Sequence, residues 1–328
     1  MPKKVAVIGG GTGTVAVLSG LKYNTDVTLS AIVNMTDDGG SNRVVRDEFG
    51  LLPLSDLRKS IVALADAGNG IFRELFTYRF DKGEGLSSHT LGNLMLMALS
   101  DITGSEIGAI EAASKIFNCR GKVIPVTLDD VRLVAKYDDG RTVTGEHLID
   151  EPEENPSAKI VELSLSEEAE AYEDAIKAIE EADFIIAGPG DLYTSTICNI
   201  IVKGISEAIK SSKGKYIFIN NLMTKKGQTH WMKASDLVAE ISRYSQRQPD
   251  YVLLNNGEIP APTLKRYEEK GEFIIVDDLQ DGSEYKIIRT DIVANDEVVQ
   301  DKGDTLVRSL VRHDHEELAK VLLSIFNN

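Results

Sequence analysis

Glycines near the amino terminus form the clearest candidate binding element of this sequence. The apolar run Val5 to Ile8 leads into the stretch Gly9-Gly10-Gly11-Thr12-Gly13, and apolar residues then recur at helical spacing from about Thr14 to Tyr23. Glycines let the backbone turn sharply and bring N–H groups close to a ligand, and the start of a helix carries positive partial charge. A strand, a glycine loop and a helix in this order therefore predict a phosphate or nucleotide site.

The same loop does not match the dinucleotide fingerprint. Gly9 and Gly11 are followed by Thr14 where the pattern G-x-G-x-x-G requires glycine, and a frame that begins at Gly11 fits only the looser form that ends in alanine. The next apolar run, Leu29 to Val33, ends in Asn34, whereas NAD-binding proteins place an acidic residue there to hold the ribose. An NAD-dependent oxidoreductase is therefore a weaker alternative.

Further polar residues collect where other apolar runs end or other helices begin. They are Asp37, Asp38, Gly39 and Ser41; Asp56 and Arg58; His89 and Asn93; Gly188, Gly190, Asp191, Tyr193, Thr194 and Ser195; and Asn221. Adjacent carboxylates such as Asp37 and Asp38 can hold Mg²⁺ or a sugar hydroxyl, and His89 can bind phosphate or donate a proton. Each group also has a plain structural interpretation as a capping turn, a surface ion pair or a structural histidine.

Five apolar runs without alternation suit parallel strands that are buried on both faces. They are Val5 to Ile8, Leu29 to Val33, Phe184 to Ala187, Tyr216 to Ile219 and Tyr251 to Leu254. Because ligands bind outside the carboxyl ends of the strands in an open α/β sheet, the polar loops should converge on one crevice. The sequence therefore predicts an α/β fold, Rossmann-like and doubly wound, with a mainly parallel sheet.

Two further expectations concern the boundaries of elements. Residues from about 122 to 163 change to a period of two around a turn at 138–141, which predicts a small β-hairpin insert within a single domain spanning 1–328. We expect Ser55, Ser166 and Asp314 to be the N-caps of three helices.

Composition excludes several classes of partner. The formal charge of −16 repels nucleic acids and anionic membranes, and no apolar run reaches the roughly 20 residues that span a bilayer. Cys119 and Cys198 lie far apart without metal-ligand spacing, which argues against a disulfide scaffold. We therefore expect a soluble, cytoplasmic protein that has no nucleic-acid partner and no membrane span.

Taken together, the motifs resemble those of the bacterial gluconeogenesis factor family, which is related to 2-phospho-L-lactate transferase. The resemblance covers roughly Val5 to Leu323 and includes the stretch Asn221-Leu222-Met223-Thr224. It implies a cytoplasmic nucleotide-sugar-binding protein with UDP-N-acetylglucosamine as ligand, needed for cell shape and wall synthesis on gluconeogenic carbon. It also implies that Tyr267 and Arg312 approach the uridine diphosphate.

The chain departs from the family pattern at three places. The departures lie at Arg43 and Val44, at Leu54, Ser55 and Lys59, and at Ser88 and Thr90 on either side of His89. Where the family has Gly-Arg after the acidic loop, this chain has Arg43 and Val44. We expect Arg43 and Lys59 to supply side-chain charge in place of backbone donors.

Two main functions remain open. The first is a regulator that binds a UDP-sugar and whose occupied state is recognised by a protein partner in wall synthesis; it requires no cofactor. The second is a Mg²⁺-dependent transferase of a phospho-group from a nucleoside-diphosphate-linked donor, in which Asp37 or Asp38 holds Mg²⁺ and His89 or Arg58 stabilises charge. Aromatic residues form only 6% of the chain, and no cluster of them suits a deazaflavin acceptor, which favours the regulator. We also expect a homo-oligomer.

Overall fold

A parallel β-sheet organises the part of the chain that the structure describes. This computed structural model covers residues 1–66, 70–83, 85–86, 89–152, 154–282, 284–294 and 310–327. The strands are β1 (Lys3–Gly9), β2 (Val27–Val33), β3 (Lys122–Pro125), β4 (Leu133–Tyr137), β5 (Thr142–Thr144), β6 (Ile160–Leu165), β7 (Phe184–Ala187), β8 (Lys215–Ile219), β9 (Tyr251–Asn255) and β10 (Lys286–Thr290). The main sheet has the order β3-β2-β1-β7-β8-β9-β10, and all of its pairs are parallel.

Strand β1 is the centre of this sheet. It pairs with β2 on one side and with β7 on the other, so that Val5 lies between Leu29 and Phe184. From β1 the chain builds outward through β2 and β3, returns to the centre, and then builds the other half from β7 to β10. The carboxyl ends of β1 and β7 therefore form the topological switch point, where α/β sheets of this kind bind their ligands.

Helices lie between the strands and after the last strand. They are α1 (Gly11–Leu21), α2 (Gly40–Phe49), α3 (Ser55–Leu64), α4 (Gly70–Thr77), α5 (Leu91–Thr103), α6 (Glu106–Ile116), α7 (Glu146–Asp150), α8 (Glu173–Glu180), α9 (Cys198–Ile200), α10 (Ile205–Ser211), α11 (Ala234–Ser245), α12 (Ala261–Glu268) and α13 (His315–Phe326), and a π-helical turn covers Leu192–Ile197. Helix α1 packs against α3 and α13. None of the helices in these residues has the length and apolar character that crossing a bilayer demands.

The predicted fold class is confirmed, and all five predicted strands are present. The expected start of the insert is wrong, because Lys122–Pro125 pairs with β2 in the main sheet. The small antiparallel sheet has the order β5-β4-β6 and runs from Leu133 to Leu165. A strand of four residues is too short for its sequence to distinguish alternation from burial on both faces, and Val123 and Ile124 are both buried.

Of the three predicted N-caps, only Asp314 is confirmed, since its carboxylate accepts hydrogen bonds from the N–H groups of Glu316 and Glu317. Ser55 is the first residue of α3 rather than its cap, and its hydroxyl donates to Asn42 Oδ1 at 2.9 Å. Ser166 lies well before α8, and its hydroxyl accepts from the backbone N–H of Arg132. In both cases the hydroxyl is hydrogen-bonded to a residue distant in sequence and does not cap a helix.

Candidate functional site

A cavity of about 270 Å³ opens at the carboxyl edge of the main sheet, at the switch point. The loops that follow β1, β2, β7 and β8 all contribute to its wall, and so does α7 of the insert. The lining residues are mostly polar, with backbone amides, hydroxyls, carboxylates and lysines close together. This combination suits a ligand that carries both anionic and hydroxyl groups.

The amino terminus of α1 forms one corner of the cavity. Gly10 is the N-cap in an extended conformation, and no side chain of its own loop caps the helix. Instead, Asp56 at the start of α3 accepts a hydrogen bond from the Gly11 N–H at 2.9 Å, and Lys59 donates to the same carboxylate at 2.7 Å. A Cβ atom at Gly10 would lie 2.4 Å from Asp56 Oδ2, so only glycine leaves room for this contact. A carboxylate thus accepts a hydrogen bond from an N–H group at a position where a ligand anion can bind.

The second glycine turn packs directly onto this corner. A Cβ atom at Gly13 would lie 2.1 Å from the carbonyl oxygen of Pro189, so α1 and the turn after β7 are in backbone contact. Asn221, in the loop after β8, donates to the carbonyl oxygen of Gly190 at 2.7 Å. The three loops that follow β1, β7 and β8 therefore form one continuous wall.

The adjacent aspartates of the second loop face different surroundings. Asp37 lines the cavity, accepts from the Gly39 N–H at 2.9 Å, and has its pKa raised to about 6 by removal from water and by the charge of Asp56. Asp38 instead accepts from the backbone N–H of His147 and pairs with Arg132, which ties the insert to the main domain. Among the described residues, no cluster of three or more His, Cys, Asp or Glu side chains is placed to hold a metal ion. Asp37 and Asp38 therefore face different partners, and a role of either carboxylate in metal binding stays a prediction.

A hydrogen-bonded chain of side chains stiffens the wall beside α5. Asn93 accepts from Arg58 Nε at 3.0 Å and donates to the Ser41 hydroxyl at 3.2 Å, and all three residues line the cavity. His89 Nδ1 lies 2.9 Å from that hydroxyl, and His89 is not one of the residues that line the cavity. His89 therefore supports Ser41 and does not itself line the wall.

Several charged residues that sequence reasoning missed also line the cavity, among them Glu146, Asp150, Lys225 and Glu272. Lys225 Nζ donates to Asp150 at 3.3 Å, and Gln228 donates to the other oxygen of Asp150 at 2.9 Å. The acidic run around 151–154 and the lysines after Asn221 were the available signals. Neither carries the glycine and hydroxyl pattern of an anion loop, and so neither identified the site.

Carboxylates in the cavity share a tendency to bind protons. Burial raises the pKa of Asp191 to about 6, and Lys225 opposes this effect while Asp150 adds to it. Burial and then Asp37 raise the pKa of Glu146 well above its usual range. For Lys225, burial lowers the pKa, but the surrounding carboxylates outweigh that effect and raise it. These carboxylates therefore begin to bind protons at a higher pH than free carboxylates do.

Most of the residues predicted from the sequence line this one cavity. They are Gly10, Gly11, Thr12, Gly13, Asp37, Gly39, Ser41, Asp56, Arg58, Asn93, Gly190, Asp191, Thr194, Ser195, Asn221, Tyr267 and Arg312. Lys59 also lines it, whereas Arg43 is exposed outside it. The departure at Ser88 lies outside the described residues.

Five predicted residues do not line the cavity: Gly9, Asp38, His89, Gly188 and Tyr193. Gly9 and Gly188 lie at the ends of β1 and β7, one residue behind the wall. Tyr193 is fully buried and donates its hydroxyl to Glu240 on α11 at 3.0 Å. Thr194 and Ser195 beside it line the cavity, whereas a ligand contact of Tyr193 stays a prediction.

Tyr267 and Arg312 both line the cavity. The hydroxyl of Tyr267 accepts hydrogen bonds from the N–H groups of Leu310 and Val311, at 2.9 and 3.1 Å. This buried tyrosine thereby holds the segment that carries Arg312 against the wall.

Comparison with known proteins agrees with the motifs and the fold. The model of the family described as 2-phospho-L-lactate transferase CofD matches residues 5–293. A gluconeogenesis factor of Bacillus subtilis is 36% identical over 323 residues, which cover 98% of each chain, and one of Halalkalibacterium halodurans is 40% identical over 84% of this chain and 85% of its own. A crystal structure of a Bacillus halodurans protein has 33% identity and a TM-score of 0.87, and covers 98% of this chain and 100% of that one. The predicted resemblance is confirmed, and the chain belongs to the CofD family together with the bacterial gluconeogenesis factors.

Proposed function

We propose that the cavity binds a nucleoside-diphosphate-linked sugar, with UDP-N-acetylglucosamine as the ligand. The observation that carries this proposal is the contact between Gly13 and Pro189, which brings two glycine junctions and Asn221 to one cavity at the switch point. A diphosphate has two phosphate groups, and backbone N–H groups at the start of α1 and in the turn after β7 can serve one each.

Different lining residues suit the two ends of such a ligand. Tyr267 and Arg312 offer an apolar ring and a planar cation for the uridine, as the family resemblance implies. Asp37, Asn93 and Ser41 offer acceptors and donors for sugar hydroxyls. The occupied cavity would then be recognised by a protein partner.

In the cell, we propose a cytoplasmic regulator that is needed for cell shape and wall synthesis during growth on gluconeogenic carbon. Relatives named gluconeogenesis factors support the link to gluconeogenic growth.

Calorimetry with UDP-N-acetylglucosamine, UDP, GDP and NAD(H), each with and without Mg²⁺, tests the proposal. We expect the UDP-sugar to bind with one site per chain and more tightly than GDP or NAD(H). Asn221→Ala should weaken this binding at least tenfold, because the variant loses the side chain that fixes Gly190, whereas Tyr193→Phe is a control outside the cavity. Tight NAD(H) binding without any response to UDP-sugars would remove the proposal.

One observation favours a second candidate, the phospho-group transferase. Asp37 presents a carboxylate to the cavity close to Asp56 and the start of α1, and carboxylate oxygens are the ligands that Mg²⁺ prefers. If Mg²⁺ binds there, Asp37 and Asp56 are the residues that would hold it, and the metal would polarise a phosphoryl oxygen. Turnover of a nucleoside-diphosphate-linked donor that disappears in Asp37→Asn would place this function above the regulator.

A further inference from the structure

Lys225 combines a fixed backbone with a side chain that reaches the cavity. It follows β8 in a tight turn, where its N–H donates to Thr229 Oγ1 at 2.9 Å and its carbonyl oxygen accepts from the N–H groups of Gln228 and Thr229. Its side chain lines the cavity and is 21% exposed. The ammonium group sits on a flexible four-carbon stem, so it can change its partner while the turn stays in place.

The ion pair that holds this ammonium group is long. Lys225 Nζ lies 3.3 Å from Asp150 Oδ2, whereas a charge-assisted bond of this kind is about 2.7–2.9 Å long. Both side chains are 21% exposed, and water weakens an ion pair that it reaches. In the ranges that the structure describes, Asp150 is the hydrogen-bond acceptor of Nζ, and an ammonium group has three N–H bonds to donate.

Asp150 has other donors and does not depend on this lysine. Its Oδ1 atom accepts from Gln228 Nε2 at 2.9 Å and from the Thr194 hydroxyl at 3.3 Å. Gln228 and Thr194 are both buried, so their positions are set by packing. The carboxylate would therefore remain hydrogen-bonded if Lys225 turned to another anion.

Lys59 is the contrasting lysine of the same cavity. Its Nζ lies 2.7 Å from Asp56 Oδ1, within the ordinary range of a charge-assisted bond, and the two residues are three positions apart on α3. The carboxylate of Asp56 also accepts from the Gly11 N–H, so it is part of the cap of α1. An exchange at Lys59 would disturb that cap, whereas an exchange at Lys225 would not.

The position of Lys225 suits one phosphate of the ligand. Asn221, four residues earlier, donates to the carbonyl oxygen of Gly190 at 2.7 Å. Burial lowers the pKa of Lys225, and Asp191 is the first of the carboxylates that raise it, so the ammonium group lies beside the turn after β7. The proposed function puts one of the two phosphates at this turn. A diphosphate carries more negative charge than one carboxylate and therefore attracts the ammonium group more strongly.

We propose that Lys225 binds a phosphate of the ligand in exchange for Asp150, an inference that rests on the proposed function. Without ligand, Asp150 pairs with the ammonium group. When the diphosphate enters, Nζ turns to a phosphate oxygen, and Asp150 keeps its bonds to Gln228 and Thr194. Asp150 is thus a competitor of the ligand within the chain itself, and it lowers the affinity of the cavity for anions.

Calorimetry at neutral pH with UDP-N-acetylglucosamine and with inorganic pyrophosphate tests the exchange. Lys225→Met should weaken the binding of both by about tenfold or more, because a hydrogen bond between charged groups is lost. Lys225→Arg keeps the cation and should stay within about threefold of the wild type. Lys226→Met is the matched control, since Lys226 is the next residue of the same turn, is exposed and does not line the cavity.

Asp150→Asn gives a result that a merely structural role would not give. Asparagine keeps an oxygen for Gln228 and Thr194 but removes the competing charge, so the affinity for both probes should rise about threefold. In the double variant Asp150→Asn/Lys225→Met this gain should disappear, because no ammonium group is left to compete for. Melting curves show which variants are folded, and Lys225→Gln replaces Lys225→Met if the latter is not.

Other results would overturn the inference. Unchanged affinity in Lys225→Met, or a lower affinity in Asp150→Asn, would refute the exchange while the proposed function stands. A gain in Asp150→Asn that is equally large in the double variant would show a general effect of charge and no competition for Lys225. A wild type that binds neither probe would remove the proposed function and the exchange together.

Discussion

The contact between Gly10 and Asp56 gives a quantitative test of how the anion corner is built. In Gly10→Ala, the new methyl group would lie 2.4 Å from Asp56 Oδ2, although the backbone of residue 10 is extended and accepts any residue. The carboxylate must therefore retreat by about 1 Å to reach ordinary contact distance. That retreat moves it from 2.9 Å to beyond hydrogen-bonding range of the Gly11 N–H.

The expected cost follows from the hydrogen bond that is lost. A hydrogen bond to a charged group contributes about 1.5–3 kcal/mol, and this one is the cap of α1. We therefore expect Gly10→Ala to lower the free energy of unfolding by about 2 kcal/mol. Asp56→Ala should cost a similar amount, because it removes the same bond from the acceptor side. In the double variant the clash is absent, so the total should stay at about 2 kcal/mol instead of reaching about 4 kcal/mol.

Urea unfolding followed by the fluorescence of Trp231 and by circular dichroism measures these free energies, and coincident transitions confirm that they are comparable. Gly70→Ala is the matched control, since Gly70 also begins a helix and has no atom within 4 Å of its added Cβ. Costs of Gly10→Ala and Asp56→Ala that simply add in the double variant would refute the reasoning. The restriction at residue 10 would then come from a source other than the carboxylate.

Three further predictions concern charge and burial. The pKa of Asp37 is about 6 in the native protein, against a reference value of 3.8, so the stability that its protonated form contributes is present below about pH 4 and is lost as the pH rises to about 6. Asp37→Asn should therefore stabilise the protein at pH 7 by on the order of 1 kcal/mol. Melting curves in which this gain does not disappear near pH 4 would contradict the prediction. Lys225→Met should cost about 3 kcal/mol, since it leaves the carboxylates around it unpaired, and Lys225→Arg should recover part of that loss in the same urea titration. Tyr193→Phe should cost about 1 kcal/mol through the lost bond to Glu240, with unchanged affinity for UDP in calorimetry; a large loss of affinity would return the hydroxyl to the binding residues.

Local sequence patterns were sufficient to predict the frame of the site. Runs such as Val5 to Ile8 and Phe184 to Ala187 are apolar on both faces and end in glycines, and these two properties already determine a buried parallel strand and the turn that follows it. The rule that ligands lie at the carboxyl ends of such strands then brings the loops together. The contact between Gly13 and Pro189 joins the loop after β1 to the loop after β7, as that rule predicts.

Long-range contacts determine the parts of the site that could not be predicted. Glu146 and Asp150 reach the cavity because Asp38 holds the backbone of His147, a contact between residues 109 positions apart. No pattern within the insert encodes this contact. Tyr193 illustrates the opposite limit. It lies in the π-helical turn, where its hydroxyl bonds to Glu240 on α11 while Thr194 beside it lines the cavity, and the sequence pattern of the turn does not show which of the two faces inward.

An anionic ligand can bind beside the carboxylates of the cavity because the fold does not stabilise the charged form of every one of them. Two lysines, Lys59 and Lys225, already lie against carboxylates, and burial raises the pKa values of Asp37, Asp191 and Glu146. A diphosphate that enters would raise these three pKa values further, because like charges disfavour ionisation. Binding should therefore be accompanied by proton uptake or by entry of a cation. Which of these two events occurs distinguishes the regulator from the transferase. A regulator needs only the proton, and its affinity should rise as the pH falls toward 6, whereas a Mg²⁺-dependent transferase needs the carboxylates charged, and its activity should fall over the same range.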